Sequence, residues 1–320
     1  MAALAGPVLL STDLYTYWAY GRVGAIHGEN PYAVPPSAFP DDPAYPRMGA
    51  DWRETTTVYG PGFTLASEGL AVVAGGSARV TAWMYRTLAA CAVLAITVLA
   101  ARISSRGALA AAFVGWNPLL AVHFAGGGHN DAWMMALVVG ALALAASGRR
   151  QLAGAAWALA IAVKWIPIVF LPLRSLEARR TGRPVRHLGF ALTATALAAL
   201  AFVLYGTDWI RAVVPLARNF ERQAIYSIPH RLSGLGISEH AAAIVLVVLF
   251  ALAFAWLLAE AWRGRARLAL AAGLMLLATP WLVPWYAIWA IPLAAIEDDR
   301  TARLLALALS AYLLRDAVPL

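Results

Sequence analysis

Asp13 lies in the stretch Ser11-Thr12-Asp13-Leu14-Tyr15-Thr16-Tyr17-Trp18, a polar and aromatic patch heading a chain that is otherwise almost all apolar. A carboxylate placed there has the chemistry of a general base, able to take a proton from a hydroxyl as that hydroxyl attacks. The other ionisable residues within or beside apolar runs are His129, Asp131 and Lys164, with Asn130 between the first two. A charge at membrane depth costs several kcal/mol unless it faces a polar cavity, so one shared cavity is the economical placement for them. Arg211, Arg218, Arg222, His230 and Arg231 form a basic stretch in the segment 207–236. An acid, several cations and a lipid-facing wall suit a substrate that carries a lipid phosphate. Lys164, Arg218, Arg222 and Arg231 are its candidate phosphate ligands, because cations aimed at a leaving phosphate stabilise its developing charge.

The elements that must position these groups follow from composition. Hydrophobic residues make up 61% of the 320 positions, charged residues 13%, and the mean hydropathy is +0.67. Soluble domains carry roughly 25% charged residues, so an all-α, polytopic membrane bundle forming a single domain over 1–320 is expected. Apolar runs lie at 79–101, 108–124, 129–148, 151–173, 187–206 and 240–258, with shorter ones at 266–279, 281–296 and 301–314. They predict about eight to ten helical membrane segments, since only helices satisfy their own backbone in lipid. The net charge of +8 is scattered in short clusters between these runs, which argues against nucleic acid as a partner. Cys91 is the single cysteine and falls in an apolar run, so no disulfide framework or cysteine metal site is available.

Orientation is read from arginines. Arg174, Arg179, Arg180, Arg183 and Arg186 share one loop and Arg263, Arg265 and Arg267 another; both are expected to be cytoplasmic. The segments 11–58 and 207–236 then become extracytoplasmic loops, the first carrying short helices. All basic clusters reach one side only if 59–77 is a surface or re-entrant helix and 151–173 breaks at Lys164-Trp165-Ile166-Pro167, where proline removes a helix donor. Residues 1–10 form neither a convincing leader nor a span, and a preceding helix is expected to be missing.

The motifs carry a resemblance. Asp13-Leu14-Tyr15-Thr16-Tyr17-Trp18 with Gly21-Arg22 and Asn30-Pro31-Tyr32, then Val58-Tyr59-Gly60-Pro61, then Trp116-Asn117-Pro118-Leu119 and Gly128-His129-Asn130-Asp131, then Val163-Lys164, and last Pro284-Trp285-Tyr286 occur in order from 11 to about 293. Together they resemble the bacterial polyprenyl-phosphate-mannose-dependent mannosyltransferases, a glycosyltransferase family 87-like group of the GT-C superfamily. The resemblance implies an integral plasma-membrane enzyme with its active site facing away from the cytoplasm. It also implies a polyprenyl-phosphate-sugar donor, a glycolipid or glycan acceptor, inversion at the sugar, and Asp13 as the base. Tyr17, Arg22, Asn30, Tyr59, His129, Asn130, Asp131, Trp285 and Tyr286 would surround the substrate cavity.

Plainer roles compete. Asp13 could cap a helix, as could His129 and Asp131. Trp281, Trp285, Tyr286 and Trp289 read better as an interfacial aromatic belt than as a sugar platform. Asp41, Asp42 and Asp51 could hold a divalent cation such as Mg or Mn, but no spacing enforces a site, and a solvated loop is the better reading. Gly126-Gly127-Gly128 and the broken helices also suit a lipid-linked-sugar flippase or secondary transporter. That class is the alternative.

Overall fold

The computed structural model describes residues 6–182, 187–212 and 224–314. Among them every regular element is a helix. Three helices are long and apolar enough to cross a membrane: Ala78–Ile103 (α3), His187–Tyr205 (α9) and Glu239–Trp262 (α11). A fourth crossing arises if Gly107–Gly115 (α4) and Pro118–Gly126 (α5), bent by 47°, count as one. Five further apolar helices are shorter than 18 residues, so the expected eight to ten spans reduce to three or four by length and composition. The run 108–124 fails as one helix because the side chain of Asn117 accepts the Leu119 N–H and Pro118 takes the first helical position, starting a new helix in a new direction. Within α5 the backbone widens into a π-turn at Ala121–Gly126, an irregularity found often at functional sites.

The remaining helices are Asp13–Ala25 (α1), Pro61–Ala74 (α2), Asp131–Ala146 (α6), Arg150–Val163 (α7), Phe170–Arg180 (α8), Ile228–Ser233 (α10), Leu268–Ala278 (α12), Ile291–Ile296 (α13) and Arg300–Leu314 (α14). Short 3-10 turns at Ile166–Val169 and Pro284–Trp289 precede α8 and α13. The apolar run 151–173 breaks at Lys164, whose backbone turns extended before Pro167. As a result α7 and α8 run to and from the same end.

The two ends differ in chemistry. Arg150, Arg174, His187, Ala266 and Glu297 line one cavity, Arg267 pairs with Asp299, and Ser104 bonds the Ala295 carbonyl. These contacts gather Arg150, Arg174 and Arg267 at one end. The opposite end carries α1 and α2 side by side, with Tyr17 edge-on to Phe63 and Gly21 against Ser67. Helix α2 begins there too, since the Gly60 N–H bonds the Val163 carbonyl at the end of α7.

Gly60 is required by that approach, because a Cβ would sit 2.2 Å from the Ala162 carbonyl oxygen. We predict that Gly60→Ala, which overpacks a backbone contact, costs about 1–3 kcal/mol. A thermal midpoint in detergent equal to that of the parent chain would refute this.

Glu297 ties the other end together by accepting the N–H groups of Leu268 and Ala269, the first turn of α12. Burial pushes its carboxyl up from 4.5 to about 7, against the lowering effect of those two N–H groups. The folded chain therefore holds a proton that the unfolded chain has released between those values, so this contribution to stability falls as pH rises through that window. Relative to Glu297→Gln, which cannot ionise, the parent chain should lose thermal stability between pH 4.5 and 7. Parallel midpoint curves for the two would overturn the assignment.

Candidate active site

A cavity of about 250 Å³ opens at the α1–α2 end, lined by Asp13, Tyr17, Tyr59, Lys164, Trp165 and Trp285, with Tyr286, Trp289, Trp52 and Trp281 completing its aromatic wall. Asp13 is the first residue of α1 and caps nothing: the helix has no side-chain cap. Its carboxylate is the sole acidic group among the described residues lining this cavity. Behind it lies His129, fully buried, with Nδ1 3.4 Å from Asp13 Oδ2. The imidazole is stacked on Trp285 at 3.8 Å between ring centroids. The 3.4 Å contact with Asp13 is a close charge approach and no hydrogen bond, and neither ring nitrogen of His129 has a hydrogen-bond partner among the described residues; the stack fixes the plane of the ring beside the carboxylate. Gly128 supports the geometry at φ 74°, a left-handed backbone natural to glycine.

Asp131 opens α6 and is fully buried. Its Oδ1 accepts from Lys164 Nζ at 2.8 Å and from Trp289 Nε1 at 2.7 Å. Lys164 also stands over the rings of Tyr286 and Trp289, 4.7 and 5.6 Å from their centroids. The ammonium is thus paired with Asp131, flanked by two aromatic faces and still on the cavity wall. The break at Lys164 turns its side chain inward onto Asp131.

The phenols of Tyr17 and Tyr59 are pushed well above the ordinary range, first by burial and then by neighbouring charges including Asp13. They are neutral donors at physiological pH. Tyr17 Oη points to Asn130 Oδ1 at 3.5 Å, and its ring packs edge-on against Tyr59 and Phe63.

The structure brings together Asp13, Tyr17, Tyr59, Lys164, Trp285 and Tyr286 on the cavity wall, with His129, Asn130 and Asp131 directly behind. Three sequence-based placements are corrected. Arg22 is held 2.8 Å from both Asp42 oxygens and donates to the Gly75 carbonyl, so its charge is spent in the scaffold. Asn30 donates to the Tyr205 carbonyl and to Asp208, tying the 26–60 segment to the end of α9. Arg231 reaches Tyr312, whose hydroxyl accepts from Nε at 3.1 Å, away from the cavity lining. Arg218 and Arg222 lie outside the described residues.

Two further readings change. Asp42 is buried between Arg22 and His27 rather than solvated, because the Arg22 guanidinium, the His27 imidazole and the Ala44 N–H converge on it. Among the described residues no three His, Cys, Asp or Glu side chains gather where a metal ion could be held. The aromatic belt is also overturned: Trp289 is 2% exposed, the Pro284–Trp289 turn brings Trp285 and Tyr286 onto the cavity lining, and Trp281 lines it from just before that turn. Sequence reasoning missed Trp52, which meets Trp281 edge-on at 6.2 Å, and His123, buried beside His129 and Trp285. A tryptophan within the otherwise polar 41–56 loop was the available signal for the first; His123 sits in an apolar run and gave one too.

An all-helical membrane protein with a carboxylate and a paired ammonium inside an aromatic cavity at one end defines the class: an integral membrane protein with an enzyme-like polar site. The chain belongs to the family described as alpha-(1->6)-mannopyranosyltransferase, N-terminal domain, whose model matches residues 2–179. It is similar to alpha-(1->6)-mannopyranosyltransferase A of Mycobacterium tuberculosis, 34% identical over 217 residues, covering 62% of this chain and 40% of that protein. A probable alpha-(1->6)-mannopyranosyltransferase of Mycolicibacterium smegmatis is 26% identical over 361 aligned positions, covering 91% of this chain and 62% of the relative. The Corynebacterium glutamicum alpha-(1->6)-mannopyranosyltransferase A is 28% identical over 168 residues, covering 51% of this chain and 34% of its own length. The chain thus spans less than two thirds of the length of each of these relatives. No solved structure matches.

Proposed function

We propose that this chain transfers a mannosyl unit from a polyprenyl-phosphate donor to a glycolipid or glycan acceptor, forming an α-(1→6) link, at the extracytoplasmic face of the plasma membrane. The observation that carries the reading is the placement of Asp13 and Lys164 in one aromatic cavity, in a chain whose relatives are named alpha-(1->6)-mannopyranosyltransferases. The gathering of basic loops at the opposite end supports the orientation, since that end would be cytoplasmic by the positive-inside bias.

The step needs few groups. The acceptor hydroxyl oxygen attacks C1 of the sugar and gives its proton to the Asp13 carboxylate. The bond from C1 to the phosphate oxygen breaks, and its electron pair stays on the lipid phosphate. Lys164, oriented by Asp131, offsets that growing negative charge. Attack opposite the leaving group inverts C1, so a β-linked donor yields an α product. His129 positions the Asp13 carboxylate, and the tryptophan and tyrosine faces suit the C–H faces of a sugar ring. A cavity of about 250 Å³ is small for a ligand site and favours one monosaccharide unit at a time.

The test is transfer of radiolabelled mannose from polyprenyl-phosphate-mannose to a membrane-glycolipid fraction by the chain reconstituted in liposomes. Labelled product cleaved by an α-mannosidase supports the reading. Label that crosses the bilayer still attached to its donor would establish a transporter instead.

A further inference from the structure

A second cavity, about 720 Å³, lies at the basic end and shares no lining residue with the Asp13–Lys164 cavity. Its walls include Leu142, Trp157, Phe190 and Ile296, while Arg150, Arg174 and His187 stand among its lining with Glu177 and Glu297. Both carboxylates are already engaged. Glu177 pairs with Arg174 and accepts the Ala266 N–H, and Glu297 accepts the N–H groups of Leu268 and Ala269. Among the described residues, Arg150 and His187 have no acidic partner. Their spacing is built rather than accidental. Gln151 Oε1 accepts the Gly189 N–H at 2.7 Å, and Gly154 and Gly189 let α7 and α9 approach so closely that a Cβ on Gly189 would lie 2.1 Å from the Gln151 carbonyl. That crossing holds the start of α9, and His187 with it, beside Arg150. Helix α9 otherwise faces outward, with 11% of its most apolar stretch buried, so hydrocarbon surrounds this flank once the chain is in a bilayer.

We infer that this cavity is a binding site for one anionic phospholipid, with an acyl chain among Leu142, Trp157, Phe190 and Ile296 and the headgroup phosphate on Arg150 and His187. Apolar walls with a rim that carries the Arg150 guanidinium and the His187 imidazole, neither with an acidic partner among the described residues, complement a phospholipid and fit neither a free sugar nor a peptide. The site is separate from the transfer cavity, and its occupancy does not depend on the proposed reaction.

Native mass spectrometry of the delipidated full chain, titrated with dioleoyl phosphatidylglycerol or dioleoyl phosphatidylcholine, tests this. One phosphatidylglycerol per chain should be retained in preference to phosphatidylcholine. Arg150→Gln with His187→Gln should remove that preference, at about fivefold per cation when each is charged. Ala146→Trp, which fills the cavity from its exposed edge, should weaken retention of both lipids. Equal retention of the two lipids by the parent chain overturns the proposal, and so does phosphatidylglycerol retention unchanged in either variant. A thermal midpoint for each variant confirms that it is folded, and Arg150→Gln alone, a change at a half-buried surface position, serves if the double variant is not.

Discussion

Asp13→Asn should lower mannosyl transfer by about 10²–10⁴-fold, the range that a positioned general base contributes, while donor binding and fold are kept. The substitution is isosteric, and the asparagine side-chain oxygen still meets His129. What disappears is the capacity to accept a proton from the acceptor hydroxyl. No other carboxylate among the described residues lines the cavity, and the phenols of Tyr17 and Tyr59 are held neutral by burial, so no neighbour substitutes. Initial rates at saturating acceptor, with donor affinity measured separately, separate the two effects. A variant that turns over at the parent rate would remove Asp13 from the reaction altogether.

The second large effect is expected at Lys164. Lys164→Met should lower kcat/KM for the lipid-phosphate donor by about 10²–10³-fold, as for loss of one group that stabilises transition-state charge. It should also destabilise the chain by about 3–5 kcal/mol, because Asp131 is left buried without its cation. These two losses have different remedies. Lys164→Met combined with Asp131→Asn removes the stranded charge while keeping an oxygen for Trp289 Nε1. Thermal stability should return in the double variant and activity should not. If activity recovers together with stability, Lys164 serves the fold alone, and the leaving phosphate must be met by another cation.

Much of the site was legible because ionisable residues are conspicuous in an apolar chain. Asp13, His129, Asp131 and Lys164 could be grouped from the cost of burying them singly, and Pro167 marked the break that turns Lys164 inward. The aromatic residues were misread for a physical reason. Trp285, Tyr286 and Trp289 flank an apolar run just as headgroup-level aromatics do, and only the direction of the turn at Pro284 tells a belt from a cavity wall. Arg22 looked like a cavity cation because its partner Asp42 is twenty residues away in a loop with no periodicity. The run 108–124 looked continuous because hydropathy averages over Asn117-Pro118, whereas the side-chain cap and the 47° bend are local events.

The sequence by itself determined the helical class, the arginine asymmetry between loops and the set of polar residues that could not face lipid. Each follows from a cost carried by one residue or one short segment, such as transfer free energy, backbone satisfaction in hydrocarbon or the missing donor of proline. Only the tertiary structure decided which charges meet. Lys164 was paired with Asp131 and Asp13 with His129, Arg22 was spent on Asp42, and the tryptophans were turned from the bilayer surface into the cavity. Those outcomes depend on how distant helices pack, and a pairing energy exists only when both partners arrive at the same few ångströms.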